Sequence, residues 1–166
     1  MTTPILAWHF VGDTLRDGSP IPADGKWLRY PGVIEMCRSG LHAFVDPFDA
    51  FQYAPGDTLC RVECRVDVER GADKLVCRER RILARMDAAE MLRYFARMQA
   101  LSVIHLWEPE DVVLDYLMTG DELLRDAAYR SASASASASA SAWASASASA
   151  RSDFSRLVNE CFEGVK

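Results

Sequence analysis

The sequence is poor in the residues and spacings that most often carry chemistry. Histidine occurs only as His9, His42 and His105, and none falls in an HExxH pattern. Five cysteines, Cys37, Cys60, Cys64, Cys77 and Cys161, form no CxxC and no Cys/His spacing of a structural zinc site, so no resident metal is expected. Their odd number and irregular spacing fit reduced, buried thiols better than a disulfide framework. GxSxG, GxxxxGK[ST] and GxGxxG are missing, which disfavours acyl transfer at a nucleophile elbow and P-loop phosphoryl transfer. There is no run of about 18 apolar residues to span a bilayer. The start, Met1 to Phe10, lacks a basic segment, a long apolar core and a small-residue cleavage site, so a cytoplasmic protein is expected. Basic residues are not in excess: 19 against 24 acidic give a net charge of −5, which excludes a broad phosphate-binding surface for duplex nucleic acid.

What is present is globular composition, 49% apolar and 26% charged over 166 residues, enough for one ordinary domain. Residues 1–86 read as strands. Ile5–Val11 is β-rich and ends at Gly12-Asp13. Lys26–Tyr30 and Val33–Cys37 flank Pro31-Gly32, a dipeptide suited to a type II turn, and read as a hairpin. From Thr58 to Val68 the residues Cys60, Val62, Cys64, Val66 and Val68 alternate with charged ones, a strand with one wet face. A further strand pair is expected around Lys74–Cys77 and Arg80–Met86. Residues 87–130 switch to helical spacing: Asp87 and Glu90 make a capping box, Glu108-Pro109 opens a second helix, and Gly120 closes it. Leu101–Trp107 suits helix or buried strand.

From Ser131 to Ala150 serine and alanine alternate, with Trp143 in place of the tenth serine. Period two is formally a strand pattern, but a lone small-residue strand with free edges aggregates. Alanine is the best helix former, each serine costs only about 0.5 kcal/mol against it, and flanking helix supplies the nucleus. Helix is the reading adopted. The fold class expected is α+β: a mainly antiparallel N-terminal sheet, then helices, then a long Ser/Ala-rich C-terminal helix. Residues 1–130 would form the domain and 131–166 a helical tail whose smooth surface permits self-association.

Two features suggest ligand chemistry. Arg78, Arg80, Arg81 and Arg85 could grip a phosphate or carboxylate through guanidinium forks, with Arg78 and Arg81 as the candidates. Glu79 and Asp87 beside them leave a solvated strand face as the alternative. The segment Ser39–Gly56 (Ser-Gly-Leu-His-Ala-Phe-Val-Asp-Pro-Phe-Asp-Ala-Phe-Gln-Tyr-Ala-Pro-Gly) reads as a short strand followed by a helical turn opening at Asp46-Pro47. With Ala7-Trp8-His9-Phe10, His105-Leu106-Trp107 and the Ala-rich end, it resembles an uncharacterised family of small bacteriophage and prophage proteins. That resemblance implies a phage context and supplies no activity.

A second similarity is to ADP-ribosyltransferases that use NAD. His9 sits on the first strand, and Gly40, Leu41, His42 and Tyr53 match that family's second element in order. Glu79 is the acidic residue of the third candidate strand. The resemblance implies that His9 fixes a ribose hydroxyl, Tyr53 stacks on nicotinamide, and Glu79 stabilises the cationic ribose as the glycosidic bond breaks. Phe10 stands where that family has Gly, and His42 where it has Tyr. Three functions therefore stand open: a non-enzymatic phage accessory protein binding a host protein or nucleotide-like ligand, including in anti-defence; an NAD-using transferase; and a structural protein assembling through its tail.

Overall fold

The computed structural model describes residues 3–134 and 139–163, with the backbone alone for 134 and 139–148. Strand β1 (Ile5–Val11) is followed by β2 (Leu28–Arg29), β3 (Leu41–Ala43), α1 (Pro47–Gln52), β4 (Thr58–Arg65), β5 (Glu69–Arg70), β6 (Leu75–Cys77) and β7 (Glu79–Asp87). Then come α2 (Ala89–Ser102), a 3-10 turn (Ile104–Leu106), α3 (Asp111–Thr119), α4 (Arg125–Ala134) and α5 (Ser139–Glu163). The α+β order is the expected one, antiparallel strands first and helices after. No described helix is long and apolar enough to cross a membrane. Two compact units are formed: the described residues through Ala89 with Ser155–Glu163, and Glu90–Phe154.

In the first unit, one sheet has the order β1-β4-β7-β2 and the other β3-β6-β5. Two links join them. Arg78 alone separates β6 from β7, and beyond β3 the backbones of Phe44 and Trp8 exchange hydrogen bonds of 2.7 and 2.9 Å. Pairing joins β1, β4 and β7 on one side and β6 and β3 on the other, the Trp8–Phe44 bridge ties β3 to β1, and the chain itself carries β6 into β7, so the strands wrap round one interior. Such a narrow interior selects small side chains. Ala7, Ala43, Cys60, Cys64 and Cys77 line it with Val11, Val62, Leu75 and Ile82. This accounts for three of the five cysteines as packing residues, free and fully buried.

Two strand expectations are corrected. Pro31-Gly32 does not turn a hairpin: Gly32 is not at positive φ, which a type II turn requires, and β2 pairs instead with β7 (Leu28↔Arg80, Arg29↔Glu79). Val33–Cys37 is not a strand; Glu35 and Ser39 bridge across a tight turn that places Cys37 at φ 67°. The alternating run ends at Arg65 rather than Val68, because Val66 (φ 61°) and Asp67 (φ 49°) are left-handed and turn the chain. The helix expected after Asp46-Pro47 is α1; the Asp46 carboxylate accepts from the Phe48 amide at 2.8 Å. Against the outer face of β1, Phe162 meets Trp8 edge-on at 4.9 Å and Ser155 Oγ donates to Asp46 at 3.1 Å.

The second unit holds Val113, Leu117 and Ala128 against Leu101, Ile104 and Trp107, while Phe95 meets Phe154 edge-on at 4.9 Å. Leu101–Trp107 is helical, as α2 and the 3-10 turn. Gly120 closes α3 in the left-handed conformation (φ 71°), its amide donating to Tyr116 O at 2.8 Å. Within the Ser/Ala repeat the described residues are helical, and residues 135–138 lie outside them, as does the side chain of Trp143. Ser133 and Ser152 turn their hydroxyls back onto the helix carbonyls of Tyr129 and Ser149, which is how such a helix accommodates serine.

Gly40 and Gly18 offer a paired test. Gly40 has φ +103°, and an added Cβ would lie 2.6 Å from Val76 Cγ2 and 3.1 Å from Ile34 Cγ2. Gly18 has φ +80° in open space. Gly40→Ala is expected to cost about 2–4 kcal/mol, conformational strain plus overpacking, and Gly18→Ala only about 1 kcal/mol. Urea denaturation of the two variants beside the parent checks the order.

Candidate functional site

The Ser39–Gly56 segment enters the fold through β3. Leu41 and Ala43 pair with Cys77 and Leu75 and point into the strand interior, which turns His42, opposite Val76, to the other side. The His42 ring is half-buried, and its Nε2 accepts the Cys37 amide at 3.0 Å, fixing the turn that precedes Gly40. An imidazole used as an acceptor resists protonation. Burial, then Lys74 and Arg80, hold His42 below the usual histidine range.

His9 lies opposite Cys60 on β1, on the interior face with Ala7 and Val11. Burial is the largest influence on it, followed by the charge of Arg80 and then His42, and together these push its pKa well below 6.5. Arg80 is opposite Cys64 on β7, on that same interior face, and donates from Nη1 to the His42 carbonyl. His9, His42 and Arg80 thus form one neighbourhood, with Gly40 and Leu41 flanking it on the chain.

Glu79 stands elsewhere. It pairs across from Arg65, one residue from Arg80, so the strand's period of two sends it to the opposite face from His9. There its carboxylate accepts from Arg65 Nε at 2.7 Å and lies 3.3 Å from Arg29 Nη1. Arg65 in turn covers Trp27 at 3.7 Å from the ring centroid. The same parity divides the arginine run. Arg81 binds Glu63 at 2.6 Å and Arg78 binds Asp67 at 2.7 Å, while Arg85 reaches Asp24 and the Pro22 carbonyl, each at 2.8 Å. Arg78 and Arg81, singled out from the sequence as anion ligands, are therefore each occupied by a carboxylate of the chain.

Tyr53 caps α1 and belongs to a third neighbourhood. Its hydroxyl donates to Asp73 at 2.9 Å, its ring stacks on Phe44 (centroids 5.2 Å apart, planes 20° apart), and Lys74 Nζ lies 3.9 Å over the ring. Next to it the motif segment and the β5–β6 connection enclose a cleft of about 280 Å³ lined by Asp46, Asp49, Arg70, Asp73, Lys74 and Leu75. The residues carried over from the transferase resemblance are thus distributed over three places. Two groups of functional interest were not singled out from sequence: the cleft carboxylates with Arg70 and Lys74, and Arg80 as an interior residue. Arg80 had a signal, since it precedes the core residue Ile82 by two positions and so shares its face. Among the described residues no cluster of three or more His, Cys, Asp or Glu could hold a metal ion.

Residues 5–94, more than half of the chain, match the family model described as Domain of unknown function (DUF7666), and the chain belongs to that family. No curated protein and no solved structure matches it.

The depressed pKa of His9 sets the pH response. An unfolded chain takes up a proton near pH 6.5 that folded His9 refuses, so stability is full above that pH and falls as acid is added, until folded His9 itself titrates. The slope is at most about 1.4 kcal/mol per pH unit for one group. His42, also depressed, contributes in the same direction. His9→Gln is expected to flatten the dependence between pH 7 and pH 5, measured by denaturation at each pH.

Proposed function

We propose that this member of the DUF7666 family is a non-enzymatic phage or prophage accessory protein that binds a nucleotide-like ligand, free or displayed by a host protein, in the cytoplasm of the infected cell. The phage setting rests on the resemblance of the Ser39–Gly56 segment and the Ala-rich end. The ligand class rests on the cleft beside Tyr53. Its lining mixes Arg70 and Lys74, suited to a phosphate, with Asp46, Asp49 and Asp73, suited to ribose hydroxyls and exocyclic amines. At about 280 Å³ it accommodates part of such a ligand rather than a whole dinucleotide.

The observation that carries binding over catalysis is the setting of Glu79. A carboxylate that stabilises a cationic ribose must face the sugar with its charge available. Glu79 faces away from His9 and is spent on Arg65 and Arg29. Tyr53, likewise, is already engaged by Phe44, Asp73 and Lys74.

Calorimetric titration of the full chain with adenosine monophosphate and NAD tests this. Binding is expected, weakened about tenfold or more in Lys74→Ala or Arg70→Ala, the loss of one charge-assisted contact. No release of nicotinamide from labelled NAD is expected in the parent. Failure of every nucleotide to bind would dismiss the reading, and nicotinamide release abolished by Glu79→Gln would establish the transferase instead.

A further inference from the structure

We propose that Arg80 anchors a second, separate ligand site: an oxyanion site inside the strand wrap, where the guanidinium takes a phosphate group. The inference is independent of the cleft and rests on how this one arginine is left. Arg80 is 7% exposed, yet no carboxylate among the described residues comes within 4.0 Å of it. Its neighbours along the chain show that acids were available, since Arg78 just before β7 and Arg81 and Arg85 on it each hold one. Of the five N–H donors of Arg80, the protein matches one, at the His42 carbonyl.

Among the described residues no carboxylate serves Arg80 as a counter-ion. Cys64 stands opposite Arg80 across the β4–β7 pairing, Cys60 and Cys77 belong to the same core cluster, and all three are fully buried. Cys77 Sγ donates to the carbonyls of Leu41 (3.3 Å) and Glu79 (3.2 Å). A hydrogen bond with Cys64 lowers its pKa, burial opposes that, and the charge of Arg80 adds to the lowering. Burial pushes Cys60 up to about 11. His9 and His42 are held neutral beside it. The other charges felt by His42, from Lys74 and Arg16, are positive as well. A cation so placed, with low-dielectric walls and no acid, attracts an anion strongly, and the planar fork of arginine matches two oxygens of a phosphate.

The site is also reachable. Among the described residues, Gln99 Oε1 is the one buried side-chain polar atom without a partner. The unmatched nitrogens of Arg80 therefore keep contact with solvent. His9, on the same face, is itself only partly buried. An entering phosphate would meet the guanidinium fork, with the neutral His9 ring beside it offering one N–H.

The test is thermal melting of the full chain in sodium phosphate against sodium chloride of equal ionic strength, with adenosine monophosphate as a third arm. A rise in Tm of at least about 3 °C with phosphate is expected, growing with concentration as a bound ligand requires. The nucleotide arm is read in Arg70→Ala/Lys74→Ala, where the cleft does not contribute: a larger rise there than with phosphate would assign the phosphate to a nucleotide, and an equal rise would assign it to the free ion. Arg80→Met, which keeps the length and removes the charge, is expected to abolish the response. Should that variant not fold, Arg70→Ala/Lys74→Ala serves in its place: the phosphate response must survive it. No response in the parent protein, or a response lost with the cleft residues, overturns the proposal.

Discussion

The hydrogen bond from Arg80 to the carbonyl of His42 crosses the interior between β7 and β3, and much of the first unit is arranged around it. It ties together the two sheets at the strand that carries Gly40-Leu41-His42-Ala43. His42, so placed, accepts the Cys37 amide and fixes the left-handed turn before Gly40. Gly40 can only be glycine there, because a Cβ would collide with Val76. Burial keeps the His9 ring neutral, and the charge that makes the bond adds to it across the interior. One guanidinium therefore fixes the geometry of the motif and adds to the burial that keeps both histidines neutral.

The narrow interior explains the composition around that guanidinium. Alanine and cysteine fill the positions where strands approach most closely, so a chain without a disulfide framework still keeps three thiols. They act as small apolar side chains, and their weak donors find backbone carbonyls, as at Cys77. The arginine-rich β7 then works on two faces: inward through Arg80, and outward through Arg81, which shares Trp27 with Arg65 and binds Glu63. Outward, charges are paired: Glu79, itself buried, with Arg65 and Arg29, and Glu63 with Arg81. Inward, the charge stands without an acid.

Much of this architecture was legible in the residues. The period of two in β4, the Asp46-Pro47 start of α1, the Asp87 cap (Ala89 amide to Asp87 at 2.9 Å) and the Gly120 stop are local rules that survived folding. Pro31-Gly32 misled because an edge of β7 offered Leu28 and Arg29 a partner outside their own hairpin. Val66 misled because its apolar character continues the alternation while its backbone leaves it. The site was harder. His9 and His42 lie on strands joined by the Trp8–Phe44 bridge, and His9 feels the charge of His42, but the period of two turns His9 inward and His42 to the other side. Glu79, however, was assigned by its residue type, whereas a shift of one residue along a strand reverses the face. The cleft at Asp73 and Lys74 had no local signature, since the β5–β6 connection lies far in sequence from Tyr53.

Family membership over residues 5–94 covers the strand wrap, the motif turn and the cleft together, so both ligand proposals lie within the family domain rather than in the Ser/Ala-rich stretch. The interior rests on the influence of Arg80 on its surroundings, and the most direct measurement of that influence is an NMR pH titration of the imidazole nitrogens of His9. The expected result is a pKa well below 6.5 in the parent protein, moving upward in Arg80→Met as the neighbouring charge is removed. An ordinary value near 6.5 in the parent, unchanged by the substitution, would contradict the account.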